Sequence, residues 1–315
     1  MIQSADLGKL VHALQQERDQ STLYLSSLGH QSKTYLRKAY DTTDQTLGSI
    51  SWPQNLNKDN QLEYHTNDSF YFHLEKHRLK LDHLEITIFE DMNFYSHDIQ
   101  MMIAWLHESL SEAKHNNKWK SLVAYENMVS AKETAATEKT LGGYYFSNGA
   151  FDDTDQYSTY IRKANVFKKR YSTARVYSKI VPPISISKSV KGQDDLAQII
   201  DNYRMIIKSN NKTEKSLTRA VDWLDNMSPY IDHLFEIQKK IEFTIIDDLT
   251  NQTLQMGIYL VLYTILFVVS VKAPRTDKSY SVATFWLEYK ICLCKDIYPL
   301  HLYHNVHYIF ILLHM

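Results

Sequence analysis

Cysteine, glycine and proline are all scarce in this chain, and each shortage removes a class of structure. The only two cysteines in 315 residues, Cys292 and Cys294, lie close to the C-terminus. Neither a disulfide framework nor a cysteine-ligated metal site can form in what precedes them. Eight glycines and six prolines are too few for a sandwich or barrel full of tight turns. No charge of one sign prevails either: 35 basic residues face 36 acidic ones, for a net charge of −1. No field strong enough to gather nucleic acid is expected, so no nucleic-acid partner is assigned. Catalytic signatures are also missing. There is no Walker-type loop, no G-x-S-x-G and no Cys–His nucleophile arrangement, so neither an enzyme nor a cofactor is implied.

The chain is instead rich in aliphatic and aromatic residues at helical spacing, with 22 tyrosines among them. The periodicity predicts helices over 4–28 and 32–47, and a long apolar stripe runs from Ile86 to Leu110. Further helices are expected from Trp119 to about Ser147, from near Asp152, within 184–208, and from Leu217 onward. Gly29 and Asn148-Gly149 read as helix ends, and Trp52-Pro53 and Val181-Pro182-Pro183 as breaks. Ser228-Pro229 either starts a helix or lies within a continuous one. Leu217, Val221, Leu224, Ile231, Leu234, Ile237, Ile241, Ile245 and Leu249 approach a coiled-coil seam. The fold class is all-α.

Two stretches echo each other. Leu10–Gly29 (LVHALQQERDQSTLYLSSLG) and Ser130–Gly149 (SAKETAATEKTLGGYYFSNG) each read as an amphipathic helix. Each carries an acid–base pair, Glu17-Arg18 or Glu138-Lys139, ahead of a hydroxyl-rich turn closed by glycine. A cation between packed helices is costly unless it meets a carboxylate or a bound anion. Arg18 and Lys139 are therefore candidate contacts for a small anion, with Ser21 as a hydroxyl donor. Plainer roles stand beside this one. Arg18 could staple helices through Glu17, Asp44 or Glu138, Lys139 could be structural or solvated, and Ser21, Ser26 and Ser27 suit close packing equally well. His73 and His77 have zinc-compatible spacing, but H-L-E-K-H reads better as a solvated charged face, and no metal site is assigned. Phe94, Tyr95, Trp105, Tyr144, Tyr145 and Phe146 read as core.

Met256–Val271 (MGIYLVLYTILFVVSV) is uncharged and apolar, slightly short of the roughly 20 residues a spanning helix uses. Lys272, Arg275 and Lys278 follow it, whereas Asp247 and Asp248 precede it. The positive-inside rule then puts the C-terminal flank in the cytoplasm and the preceding residues outside, at the plasma membrane. Sequons at Asn67, Asn211, Asn226 and Asn251 all fall on the outer side. MIQSADLGK has no apolar signal core, so a preceding segment is expected to be missing. The tail Tyr298–Met315 mixes His, Tyr and aliphatic residues without periodicity.

VHALQQERDQSTLYLSS resembles the first signature of the nitrate- and nitrite-sensing (NIT) domain, a helix with a Q-x-E-R-G-x-S pattern. WKSLVAYENMVSAKETAATEKTLGGYYFSNGAF resembles its second, AKE-x-x-G-x-ERALG followed by a small-residue turn. FHLEKHRLKLD, NFYSHDIQMMIAWL and YDTTD…SWP are similar to the animal branch, in which the domain is the extracellular part of receptor guanylate cyclases. The resemblance implies two stacked four-helix bundles that bind nitrate or nitrite between helices through an arginine from each signature helix. Arg18 matches the first arginine, Lys139 stands where the second would be, and Asp19 replaces the glycine after Arg18.

The expected organisation is an extracellular NIT-like sensor domain (1–212), a signalling helix (213–255), a transmembrane helix (256–271) and a short cytoplasmic tail (272–315). The tail is too short for a cyclase domain. The expected partners are a small anion such as nitrate or nitrite, the membrane, and a second copy or a full-length receptor. The alternative is a non-sensing module that dimerises through the 217–249 seam, or an incomplete receptor fragment.

Overall fold

In a computed structural model of the chain, residues 2–29, 33–53, 62–112, 119–183 and 194–272 can be described. They contain eight α-helices, one 3-10 helix and no strand. The helices are α1 (Ile2–Ser26), α2 (Lys33–Ser49), α3 (Asn67–Asp82) and α4 (Ile88–Glu112), followed by α5 (Trp119–Asn148), α6 (Thr154–Tyr177), α7 (Asp194–Ser209) and α8 (Leu217–Lys272). The all-helical expectation holds. The chain divides into two units, Met1–Asp248 and Leu249–Met315.

Within the first unit α2, α3 and α4 gather about α1, while α6, α7 and α8 gather about α5, and α1 lies along α5. Polar contacts fix the direction of that central pair. Asp19 meets Lys139 and Thr140, and Ser26 meets Ser147, so the two helices run parallel at a constant offset. The outer helices are one-sided. Helix α2 buries Leu36, Ala39, Thr43 and Leu47, the spacing of a single apolar stripe. Thr66 caps α3 in a reciprocal box with Ser69, and Asp153 caps α6 by accepting from the Gln156 amide.

Neither signature helix is amphipathic, which corrects the sequence reading. From Leu122 to Phe146, α5 is buried nearly all round, and α1 from Leu7 to Leu25 is almost as enclosed. A helix at the centre of a bundle has no solvent face, so its charged residues must be neutralised inside. Gly142 and Gly143 bring α8 against α5. A Cβ on Gly142 would lie 2.4 Å from Trp223 Nε1, and that ring nitrogen donates to the Lys139 carbonyl at 2.7 Å. Gly142→Ala should therefore lower stability by about 1–3 kcal/mol by overpacking, although alanine is the better helix former. Urea unfolding would show this, and a stabilised variant would refute the close-approach role.

The two left-handed glycines fall where helix ends were expected, with φ +76° at Gly29 and +82° at Gly149. Pro229 lies inside α8, so Ser228-Pro229 does not start a new helix. The seam on α8 is spent internally. Leu224, Ile231, Leu234, Ile237, Ile241 and Ile245 are all buried within this chain, which removes the apolar stripe that the dimerising alternative requires. Among the described residues no helix is long and apolar enough to cross a membrane. The expected span falls partly outside them: the side chains of 266–271, and all of 273–315 including both cysteines, are not described.

Candidate functional site

The site lies where α1 runs along α5. Arg18 is fully buried, and its Nη1 donates to Glu133 Oε1 at 2.9 Å and to Ser96 Oγ at 3.2 Å. Its Nε has no hydrogen-bond partner. Glu133 also accepts from Gln15 Nε2 and from Thr137. Burial works to raise the Glu133 carboxyl, but the neighbouring Arg18 holds it below the usual range. Further along α5, Lys139 Nζ lies 2.8 Å from Asp19 Oδ2, and Thr140 donates to Asp19 Oδ1 at 2.7 Å.

The two cations thus come from opposite helices, and each meets a carboxylate of the other. Arg18 takes Glu133 rather than Glu17, Asp44 or Glu138, because those three are already occupied. Ser21 is buried beside them but faces α4, where its Oγ donates to Asp91 Oδ2 at 2.5 Å. His77 sits 2.8 Å from the other Asp91 oxygen.

Two arginines that the sequence reading overlooked complete the electrostatics. Arg78 of α3 grips Glu17 with two bonds of 2.8 Å each, from Nε and Nη2, and Tyr95 donates to Glu17 at 2.7 Å. Arg204 of α7 grips Glu138 in the same way, at 2.8 and 2.9 Å, and Tyr160 donates to Glu138 at 3.3 Å. Each guanidinium also lies against a tyrosine ring, with 4.4 Å from Arg78 Cζ to the Tyr40 centroid and 5.9 Å from Arg204 Cζ to the Tyr230 centroid.

The sequence echo is therefore a structural one: Glu, Arg and two Tyr, built once about α1 and once about α5. Burial opposes charge on both arginines, yet the bidentate carboxylates more than offset it and raise both pKa values. For Arg204 the available signal was an arginine beside the apolar run in DNYRMIIK, whereas Arg78 lies in the charged stretch HLEKHRLK and offered none.

Among the described residues no cluster of three or more metal-ligating side chains is present. His77 is buried and stacked 3.6 Å from the Phe94 centroid, while His73 lies 3.3 Å from Asp98 and stacks on the same ring at 4.7 Å. The solvated histidine face expected from the sequence is thus a half-buried aromatic stack.

A model of the family described as nitrate and nitrite sensing matches residues 9–249. The chain belongs to the NIT family. The match takes in most of α1, all of α5 and every cation and carboxylate of the central seam. Among solved structures, the one described as the NasR transcription antiterminator is similar, with a TM-score of 0.65 and 17% identity over 83% of this chain and 71% of that one. At that identity the likeness carries the fold alone. No curated protein matches.

Against the two NIT signatures it resembles, this chain departs at four positions: Asp19 and Ala136 stand for glycine, Lys139 for arginine and Thr140 for alanine. Two of them, Asp19 and Lys139, meet across the seam at 2.8 Å. A lysine presents a point charge rather than a planar fork, and here a tethered carboxylate already covers it.

Proposed function

We propose that this chain is a non-catalytic sensor that takes a small oxyanion such as nitrate or nitrite in the α1–α5 seam, at Arg18 and Lys139. One observation carries the reading: both cations are buried between two enclosed parallel helices, and an Arg18 donor is left unused. An entering anion would compete with Glu133 and Asp19 for those cations. Releasing either carboxylate changes which groups hold α1 to α5, and α8 packs on both helices through Gln238 and Trp223. Binding that favours one arrangement of the seam shifts the population of the whole bundle. Ser21 Oγ also lies 2.9 Å from the Arg18 carbonyl, an alternative acceptor for its single proton.

The receptor context is part of the proposal. Leu254, Ile258, Tyr259, Leu260, Val261, Leu262 and Ile265 are all exposed along α8, as a helix facing lipid would leave them. A span over 256–271 with the sensor outside, at the plasma membrane, would couple it to a guanylate cyclase on another chain. The animal-branch resemblance supports that partner.

A second reading has its own observation. Asp19 is an internal anion already seated on Lys139, which suits a regulatory module that no longer needs a ligand. Calorimetry with nitrate on the full chain separates the two. For the sensor, Asp19→Asn removes the competitor and should tighten nitrate at least about tenfold, while combining it with Lys139→Met should abolish that gain. If neither the wild-type chain nor Asp19→Asn binds nitrate or nitrite, the non-sensing reading stands.

A further inference from the structure

A second group of buried polar atoms sits apart from the Arg18–Lys139 pairs, where α1, α5 and α8 converge. Lys132 of α5 is fully buried, and its Nζ has no hydrogen-bond partner. On the same seam Gln15 Oε1, Gln238 Oε1 and His12 Nδ1 are buried and also lack partners. Phe235 of α8 meets both Lys132 and His12: Lys132 Nζ sits over its ring in a cation–π contact, 4.4 Å from the centroid, and the His12 ring stacks on it at 4.0 Å. Gly8 makes room on α1: a Cβ there would fall 2.6 Å from Gln238 Nε2.

The neighbouring carboxylates do not satisfy Lys132. Glu133 is committed to Arg18, Gln15 and Thr137, and Glu242 accepts from Tyr125 at 3.2 Å. Asp232 lies near His12 at 3.9 Å, with an exposed side chain. A fully enclosed ammonium with no acceptor is among the costlier arrangements a core can hold.

We propose that this three-helix seam is a second anion site, in which Lys132 Nζ and the Gln238 amide hold one small, weakly hydrated monovalent anion against the Phe235 edge. The bond from Gln238 Nε2 to Tyr125 is long, at 3.4 Å, so that amide is free to turn its donor toward a ligand. A single positive charge in an aromatic, water-poor setting matches one negative charge and disfavours doubly charged sulfate. Halides such as bromide, and nitrate, fit that chemistry. The site does not depend on Arg18 or Lys139, and it would let ambient anions set the packing of α8 on α1 and α5 whether or not the first seam binds a ligand.

Bromide is the probe. Crystals of the full chain soaked in sodium bromide should show an anomalous peak in contact with Lys132 Nζ. In solution, bromide should raise the melting temperature, with sodium sulfate at equal ionic strength as the control. Lys132→Met should weaken the half-saturating bromide concentration at least about tenfold, whereas Asp19→Asn with Lys139→Met should leave it within twofold. A water or an empty position at Nζ in the soaked crystal, or an unchanged bromide response in Lys132→Met, would overturn the site. An Asp19→Asn gain in nitrate affinity that survives Lys139→Met would count only against the proposed sensor site.

Discussion

Arg78→Met should cost about 3–5 kcal/mol of unfolding free energy, a large share of what holds a domain together. The substitution keeps a long apolar stem on α3, so lost packing contributes little. What remains is Glu17, fully buried on α1 with a single donor, the Tyr95 hydroxyl. A carboxylate left without its bidentate partner in the core either stays charged at high cost or takes up a proton. Asp44 and Glu75 lose a partner as well, at 2.8 and 2.9 Å, but both are partly solvated and matter less. Removing both buried partners, with Glu17→Met added, should recover most of the loss, because no orphaned charge then remains. Guanidinium unfolding of the two single variants and the double gives the coupling directly. Arg204→Met and Glu138 should repeat the pattern about α5. A single-variant loss below about 1 kcal/mol at both clasps would mean that they are not what neutralises the core.

That pair of clasps also marks how far the fold was legible in the sequence. Helix order and most helix ends follow from apolar spacing and from the glycines at 29 and 149, because those signals are local. Helix α3 does not follow from them, since its buried face mixes His77 and Arg78 with Phe70, Leu74 and Leu81. The echo between the two signature stretches was visible too, since it recurs along one chain. The burial of α1 and α5 on all sides was not visible. Both carry charges at intervals that suggest a solvent face, and only the distant Arg78 and Arg204 show that those charges point inward. Pairings such as Arg18 with Glu133, or Asp19 with Lys139, join residues more than a hundred positions apart. No periodicity encodes them. Asp19 could be noticed as a departure from the NIT pattern, and so could Lys139. That one compensates the other required the parallel offset of α1 and α5, which only packing sets.

The same logic makes Lys132 the place where a substitution should help. Lys132→Met should stabilise the chain at pH 6 in a buffer of weakly binding anion, by on the order of 3–5 kcal/mol, since a buried ammonium that lacks a hydrogen-bond acceptor is replaced by a thioether of similar length. Burial pushes the lysine pKa down to about 7 from an ordinary 10.5, against the raising influence of Glu133, Asp232 and Glu242. His12, the other titratable group on the seam, is held down to about 2 by its own burial and by Lys132, Lys139 and Lys239, so it stays neutral throughout this range. The sign follows from proton counting. Between pH 7 and 10.5 the unfolded chain keeps the Lys132 proton and the folded chain has lost it, so wild-type stability rises with pH there. The penalty is complete below the folded value and gone above the unfolded one. The advantage of Lys132→Met should therefore be greatest at pH 6 and shrink steadily from pH 7 to 10. Adding bromide at pH 6 should shrink it as well, because an anion on Nζ supplies the partner that the fold withholds. A gap between variant and wild type that ignores both pH and bromide would mean that Lys132 is already satisfied, and the seam would then be packing and nothing more.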